Sequence, residues 1–258
     1  MPAKDIFHAE RRFASNPTPE HLSQIKTWLE DEKEESGHSF ICNWGVIESS
    51  FGRNELFVAT NQDDFAIAFL AWDEHTESLI NLNIAVVHPA YRENGVAKFL
   101  IYKSFELFRD NGCLVAELEC QPPTSEPVWR KLNFQDFPQQ VQSEESWRSW
   151  RKSTYLYRPL ITAAKVNKRQ ETNNLIELWD KDPYLAKHLP STWSWYISFN
   201  EDYELTEPII FPCDPNWRLR WTQNGETLLD KKVKYFLDYT QETFEYLLIT
   251  ELPHIGVS

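Results

Sequence analysis

The stretch whose residue types most directly specify chemistry is Val87-His88-Pro89-Ala90-Tyr91-Arg92-Glu93-Asn94-Gly95-Val96-Ala97. It lies between an apolar, strand-like run and an amphipathic one. Pro89 stops the strand, because its nitrogen cannot donate to a ladder. A helix starts near Gly95, and the first N–H groups of a helix have no internal partners and sit at the positive end of its dipole. A strand, a loop and a helix in that order make an anion site, suited to a phosphate. Gly95 and Ala97 are small enough to let an anion approach the backbone, and Arg92 can add a charge-assisted contact at the rim.

The elements that must hold this loop can be read on both sides of it. Thr18-Pro19 is a helix start, and Leu22, Ile25, Trp28 and Leu29 follow on one helical face, running into the acidic tail Asp31–Glu35. A second short helix is expected at Cys42–Ser50. Glu55–Thr60, Phe65–Trp72 and Ser78–Val87 read as strands, separated by turns at Asn61–Asp64 and Asp73–Glu77, so a meander is expected. After the loop, Val96, Phe99, Leu100, Lys103, Leu107 and Phe108 predict a helix that stops at Asn111-Gly112. Cys113–Cys120 is a further strand, Ser125 caps a short helix to Leu132, and Trp147–Leu160 is strand-prone.

The polar stretch Ile161–Thr172 places a domain boundary after Leu160, giving domains 1–160 and 161–258. Beyond it Asn173–Trp179 reads as helical. Trp193–Phe199, Trp217–Gln223, Thr227–Asp238 and Phe244–Leu252 read as strands, with Asn224-Gly225 as a tight turn between two of them. Trp193 with Trp195, and Trp217 with Trp221, each share a sheet face, as rings packed into a core do; a stacking platform for a sugar or base is the alternative.

The chain of 258 residues is 41% apolar and 14% aromatic, enough for a real core. Its net charge of −13 argues against a reader of nucleic-acid phosphates; it suits a cationic partner, and equally a charge that serves only to keep the chain in solution. Cys42, Cys113, Cys120 and Cys213 are scattered, which predicts neither a disulfide framework nor a zinc site and suits a reducing cytoplasm. No apolar run is long enough for a membrane span.

The V-x-P-x-x-R-x-x-G-x-A string, after an apolar strand and before an amphipathic helix, resembles the acetyl-CoA-binding motif of the GNAT superfamily of N-acetyltransferases. The order of elements resembles that fold, and Ser125–Phe134 resembles the family's second cofactor-side helix. The resemblance covers residues 10–160. It implies a V-shaped gap where Ser78–Val87 splays from Cys113–Cys120, with pantetheine lying against Ala85, Val86 and Val87. It implies a pyrophosphate on the N–H groups of Glu93, Asn94, Gly95, Val96, Ala97 and Lys98, with Arg92 at the rim and Trp129 beside the cofactor. Acetyl-CoA would be the co-substrate, no metal would be needed, and a strand N–H would polarise the thioester carbonyl.

Three positions depart from the family pattern. Asn81 and Asn83 stand on the strand where many members carry a carboxylate, Trp129 occupies the usual Tyr position, and Asn133 replaces a Gly. Amine acetylation needs a base and an acid for the departing thiolate. Glu119 and Glu117 are the candidate catalytic carboxylates; Asp73, Glu74 and His75 are weaker substitutes, and His88 fits a structural role better.

The expected fold class is therefore α/β. A GNAT-like, mixed and mostly antiparallel sheet flanked by helices is followed by a smaller α+β domain. The expected function is transfer of an acetyl group from coenzyme A to a primary amine on a small molecule or protein, without nucleic acid or membrane. The alternative is a non-catalytic acyl-CoA-binding regulatory or interaction protein. A homodimer is left open.

Overall fold

Thr18 caps the first helix, α1 (Pro19–Ser36), through a reciprocal pair: its hydroxyl accepts from the His21 N–H, and its own N–H donates to His21 Nδ1. The computed structural model describes residues 11–141, 154–169, 172–201, 204–236, 241–243 and 246–252. By contact density the chain divides into two compact units, Met1–Phe134 and Gln135–Ser258; the composition of the sequence suggests a division after Leu160.

In the first unit, β1 (Arg12–Ala14), β2 (Leu56–Thr60), β3 (Ala66–Thr76), β4 (Leu79–Val87) and β5 (Val115–Glu119) lie side by side in chain order. The first four are antiparallel; β5 joins β4 in parallel. β2 and the first six residues of β3 are wholly buried. They read as unbroken apolar runs because both faces of the sheet are covered. On one face α1 and α2 (Trp44–Gly52) enclose Ile25, Trp28, Leu29, Ile47, Phe69, Ala71, Ile84 and Val86. The other face takes α3 (Val96–Asp110), whose Phe108 meets Trp72 edge-on at 4.9 Å, with Phe57 beside both. The short α4 (Glu126–Lys131) follows β5.

Three features differ from the sequence reading. β1 was not foreseen: three residues carry no detectable period, and it exists through its pairing with β2. The expected turn Asp73–Glu77 is mostly strand, since Asp73 pairs with Asn81, Glu74 with Ile80 and Thr76 with Leu79. The buried stripe of α3 runs through Val96, Leu100, Ile101, Ser104, Phe105 and Phe108, which leaves Lys103 exposed.

The second unit contains the antiparallel pair β6 (Gln135–Asp136) and β7 (Tyr155–Pro159). It also contains β8 (Asn174–Trp179), β9 (Trp193–Ile197), β10 (Glu204–Pro212), β11 (Arg218–Gln223), β12 (Glu226–Lys232), β13 (Gln241–Thr243) and β14 (Tyr246–Glu251). One sheet runs β12-β11-β8-β9 and another β10-β14-β13. Asn173–Trp179 is thus a strand, not a helix. It is held between β11 and β9, and its last four residues are buried. Long-range pairing overrides a helical reading of so short a segment. The α-helices among the described residues all precede Phe134. Trp195, Trp217 and Trp221 are buried, and Trp193 stacks on Trp217 at 5.2 Å, so these rings build a core. The strand-prone start at Trp147 lies outside the described residues.

Candidate active site

The site grows from a failure of pairing. β4 and β5 match only through Leu79↔Val115, Ile80↔Ala116 and Asn81↔Glu117; beyond that row β4 runs on to Val87, still paired with β3 on its other edge but with no pairing to β5. The His88 N–H donates to the Ile67 carbonyl on β3. Backbone groups alternate in direction along a strand, so those of Ala85 and Val87 point the other way, into the opening. The Val87 carbonyl is taken by Arg92 Nε at 2.9 Å. The edge there still offers the N–H and C=O of Ala85 and the N–H of Val87.

A cavity of about 180 Å³ occupies this opening. Its walls are Ala85, Val86 and Val87 of β4, Ala97, Leu100 and Ile101 of α3, and Ser125, Val128, Trp129 and Leu132 around α4. Trp129 is fixed by an edge-on contact with Phe134 at 5.4 Å. The wall is apolar with one exception: Ser125 Oγ is buried without a hydrogen-bond partner. The sequence suggested this hydroxyl as a helix cap, and it caps nothing.

The loop closes one end of the cavity. Gly95 is the N-cap of α3 at φ +74°, and no side chain caps the helix. A Cβ on Gly95 would meet Arg11 Nη1 at 3.6 Å, an ordinary contact, so the glycine is required by its left-handed backbone rather than by crowding within the protein. Glu93 is left-handed too, at φ +63°. Asn94 Nδ2 donates to the Arg92 carbonyl, and the Asn94 carbonyl accepts from Arg11 Nη2. The first N–H groups of α3 are therefore available to an anion.

The charged groups at the loop have partners that the sequence does not announce. Arg92 turns toward α1 and pairs with Glu32 at 2.5 Å. Arg11, eighty-three residues from Asn94 in sequence, brings an unforeseen guanidinium against the loop instead. Lys98 reaches over the Tyr102 ring, 5.7 Å from its centroid. His88 accepts from the Ala90 N–H at 3.1 Å and packs among Trp28, Phe65 and Tyr91. Burial first, and the Arg92 guanidinium second, hold its pKa below the usual 6.5 against the opposing pull of Glu32, Asp31 and Glu35. A neutral, packed ring is a strut of the loop.

Of the two candidate carboxylates on β5, Glu117 is almost wholly buried opposite Asn81, and Glu119 accepts from Gln121 Nε2 at 3.0 Å. A third carboxylate, named above as a weaker substitute, stands close by. Asp73 lies across from Asn81 on β3, and both Asn81 Nδ2 and Asn83 Nδ2 donate to its Oδ1. Its neighbours became legible only once the register of β3 and β4 was fixed.

Residues 16–134 match the acetyltransferase (GNAT) family. No curated protein matches the chain in sequence. Similar solved structures include a GNAT-family acetyltransferase from Staphylococcus aureus Mu50, with 12% identity and a TM-score of 0.47 over 59% of this chain and all of that one. N-acetylglutamate synthase from Neisseria gonorrhoeae has 14% identity and a TM-score of 0.46, covering 59% of this chain and 36% of that one. PaiA N-acetyltransferase from Thermoplasma acidophilum has 13% identity and a TM-score of 0.45, covering 58% and 99%.

Proposed function

We propose that this protein, residues 16–134 of which form a GNAT acetyltransferase domain, moves an acetyl group from coenzyme A to a primary amine. The observation that carries the reading is the opening between β4 and β5, which ends on the uncapped N-terminus of α3. The residues fit an acyl-CoA. The N–H groups of Glu93 to Lys98 would face the pyrophosphate, with the Arg11 guanidinium adjacent. Ala85 and Val87 offer strand-edge hydrogen bonds to the amides of pantetheine, and Ser125 Oγ supplies a buried polar atom in need of a partner. Trp129 walls the apolar remainder.

The thioester supplies an activated acyl carbon and a thiol leaving group. A thiol has a pKa near ~8.5, so it can leave at neutral pH without an acid on the enzyme. That suits a helix with Trp129 where a phenol would otherwise stand. The same substitution favours a second reading, a non-catalytic acyl-CoA-binding module. Glu117 and Glu119 on β5 remain the carboxylates proposed for proton transfer from the acceptor.

Thermal unfolding with and without acetyl-CoA tests the binding site. A ligand at about 100 times its dissociation constant stabilises by about 2.7 kcal/mol. Gly95→Glu is expected to abolish that gain, because a carboxylate would fill and repel the anion site. Gly95→Asn, which tolerates a left-handed backbone and adds bulk without charge, is expected to keep part of it. An equal gain in Gly95→Glu would remove the loop from the cofactor site. Mass-spectrometric detection of an acetylated amine separates the enzyme from the non-catalytic module.

A further inference from the structure

The pairing of β3 with β4 contains an irregularity that is specific in its consequences. Ala71 pairs with Ile84 and Trp72 with Leu82, so Asn83 is an extra residue on β4, a bulge that re-aims its side chain. Bulged in this way, Asn83 joins Asn81 in donating to a single oxygen, Asp73 Oδ1. Asn81 Nδ2 also donates to Asn83 Oδ1 at 2.8 Å, which locks the two carboxamides together. Asp73 Oδ2 accepts no hydrogen bond from any described residue. The carboxylate is half-buried, and Asn83 beside it is exposed, so solvent and ligands can reach that oxygen.

Two independent features place this group at the reacting end of the gap. The first is depth. Asn81 belongs to the last row in which β4 pairs with β5, so the cluster stands at the apex of the opening. From Val87, beside the phosphate loop, to Asn83 is four residues, about 13 Å of extended strand. An arm lying along the β4 edge from the loop therefore ends at the bulge. The second is the face. Ala71 and Ile84 belong to the cluster under α1 and α2, and Asp73, two residues on from Ala71, projects from the same side of β3. The cavity lies on the opposite side, against α3. A donor entering on the α3 side and an acceptor entering on the α1–α2 side would meet at this row.

We infer that Asp73, oriented by Asn81 and Asn83, binds the ammonium group of the acceptor through its unoccupied oxygen. The inference rests on the acyltransferase reading for the identity of the acceptor, and on the geometry for the residue. It gives an explanation for the two asparagines on β4: they orient a carboxylate carried by the neighbouring strand. The partner is defined by its chemistry, a primary ammonium on an accessible arm.

The test is calorimetric binding of a panel of alkyl, aryl and peptide primary amines to the full chain saturated with coenzyme A, alongside alcohols of the same carbon skeleton. The wild type is expected to bind at least one amine saturably and well above its alcohol. Asp73→Asn is expected to weaken that amine about tenfold to a hundredfold, the range of a charge-assisted hydrogen bond. The alcohol and coenzyme A should bind both proteins alike. Asp73→Glu should recover part of the loss. Asn83→Lys, at an exposed position, should block the amine by placing an ammonium of its own on Asp73. Unchanged amine affinity in Asp73→Asn and Asn83→Lys, or no saturable amine binding to the wild type, overturns the assignment of Asp73. Failure of the wild type to bind coenzyme A overturns the acyltransferase reading instead, and amine binding to the free protein then still decides Asp73.

Discussion

Ser125 shows how a single atom can carry opposite signs in two states. A buried hydroxyl left without a partner costs about 1–3 kcal/mol, whereas the bond it makes once satisfied is worth about 0.5–1.5 kcal/mol net. Ser125→Ala is therefore expected to raise the melting temperature of the free protein while weakening coenzyme A about two- to tenfold. Ser50 and Thr60 also bury hydroxyls without partners, but neither lines the gap. Their substitution by Ala and Val should stabilise the fold and leave affinity unchanged. Calorimetric melting and titration of the three variants check both signs; a Ser125→Ala protein with wild-type affinity would mean that the hydroxyl faces no ligand. Little of this was legible in the sequence, where a Ser before a short helix reads as a cap. Nor does the position of Arg92 beside Gly95 announce its bond to Glu32, sixty residues away.

At the level of elements, the Arg92–Glu32 pair ties the loop to α1, and its role can be separated from direct phosphate binding. If Arg92 chiefly held the phosphate, Glu32→Gln would release it and tighten coenzyme A. As a strut bonded also to the Val87 carbonyl, it should behave otherwise: Arg92→Ala and Glu32→Gln should both weaken coenzyme A, and the double variant should lose little more than either single one. A double-mutant cycle on affinity measures this; additive losses, or tightening in Glu32→Gln, would refute the strut. The elements themselves were largely legible where their periods were long. α1 declared itself by its start signal and repeat, α3 by its repeat and stop signal, and β2, β3 and β4 by apolar runs between polar turns. The failures were local sequence read without its partner. β1 and β8 are strands because β2, β9 and β11 lie beside them, and the end of β3 stays extended because β4 pairs with it through Leu79. The gap was foreseen only through the family resemblance, since no residue type announces where two strands part.

For the whole molecule, charge is the property that acts at range. With 26 basic and 39 acidic residues, the formal charge of −13 sets up a field that attracts cations and repels the polyanionic coenzyme. The acid-rich end of α1 adds to this at the loop, where Asp31, Glu32 and Glu35 are close enough to act on His88. In the proposed complex the phosphates would be met largely by backbone N–H groups, and Arg92 is already paired with Glu32, so few salt-sensitive cationic contacts would oppose the field. The Debye length is about 10 Å at 0.1 M salt and about 3 Å at 1 M, so salt removes the long-range part first. The two substrates of the proposed reaction should then respond in opposite directions. Raising salt should lower kcat/KM for a cationic amine several-fold, while coenzyme A affinity holds or improves. Steady-state rates and calorimetric titration across a salt series, with a neutral osmolyte as control, measure both slopes. A fall in coenzyme A affinity as steep as that in kcat/KM would mean that Arg11 and Lys98 outweigh the global field at the loop. An amine rate insensitive to salt would mean that the acceptor approaches uncharged.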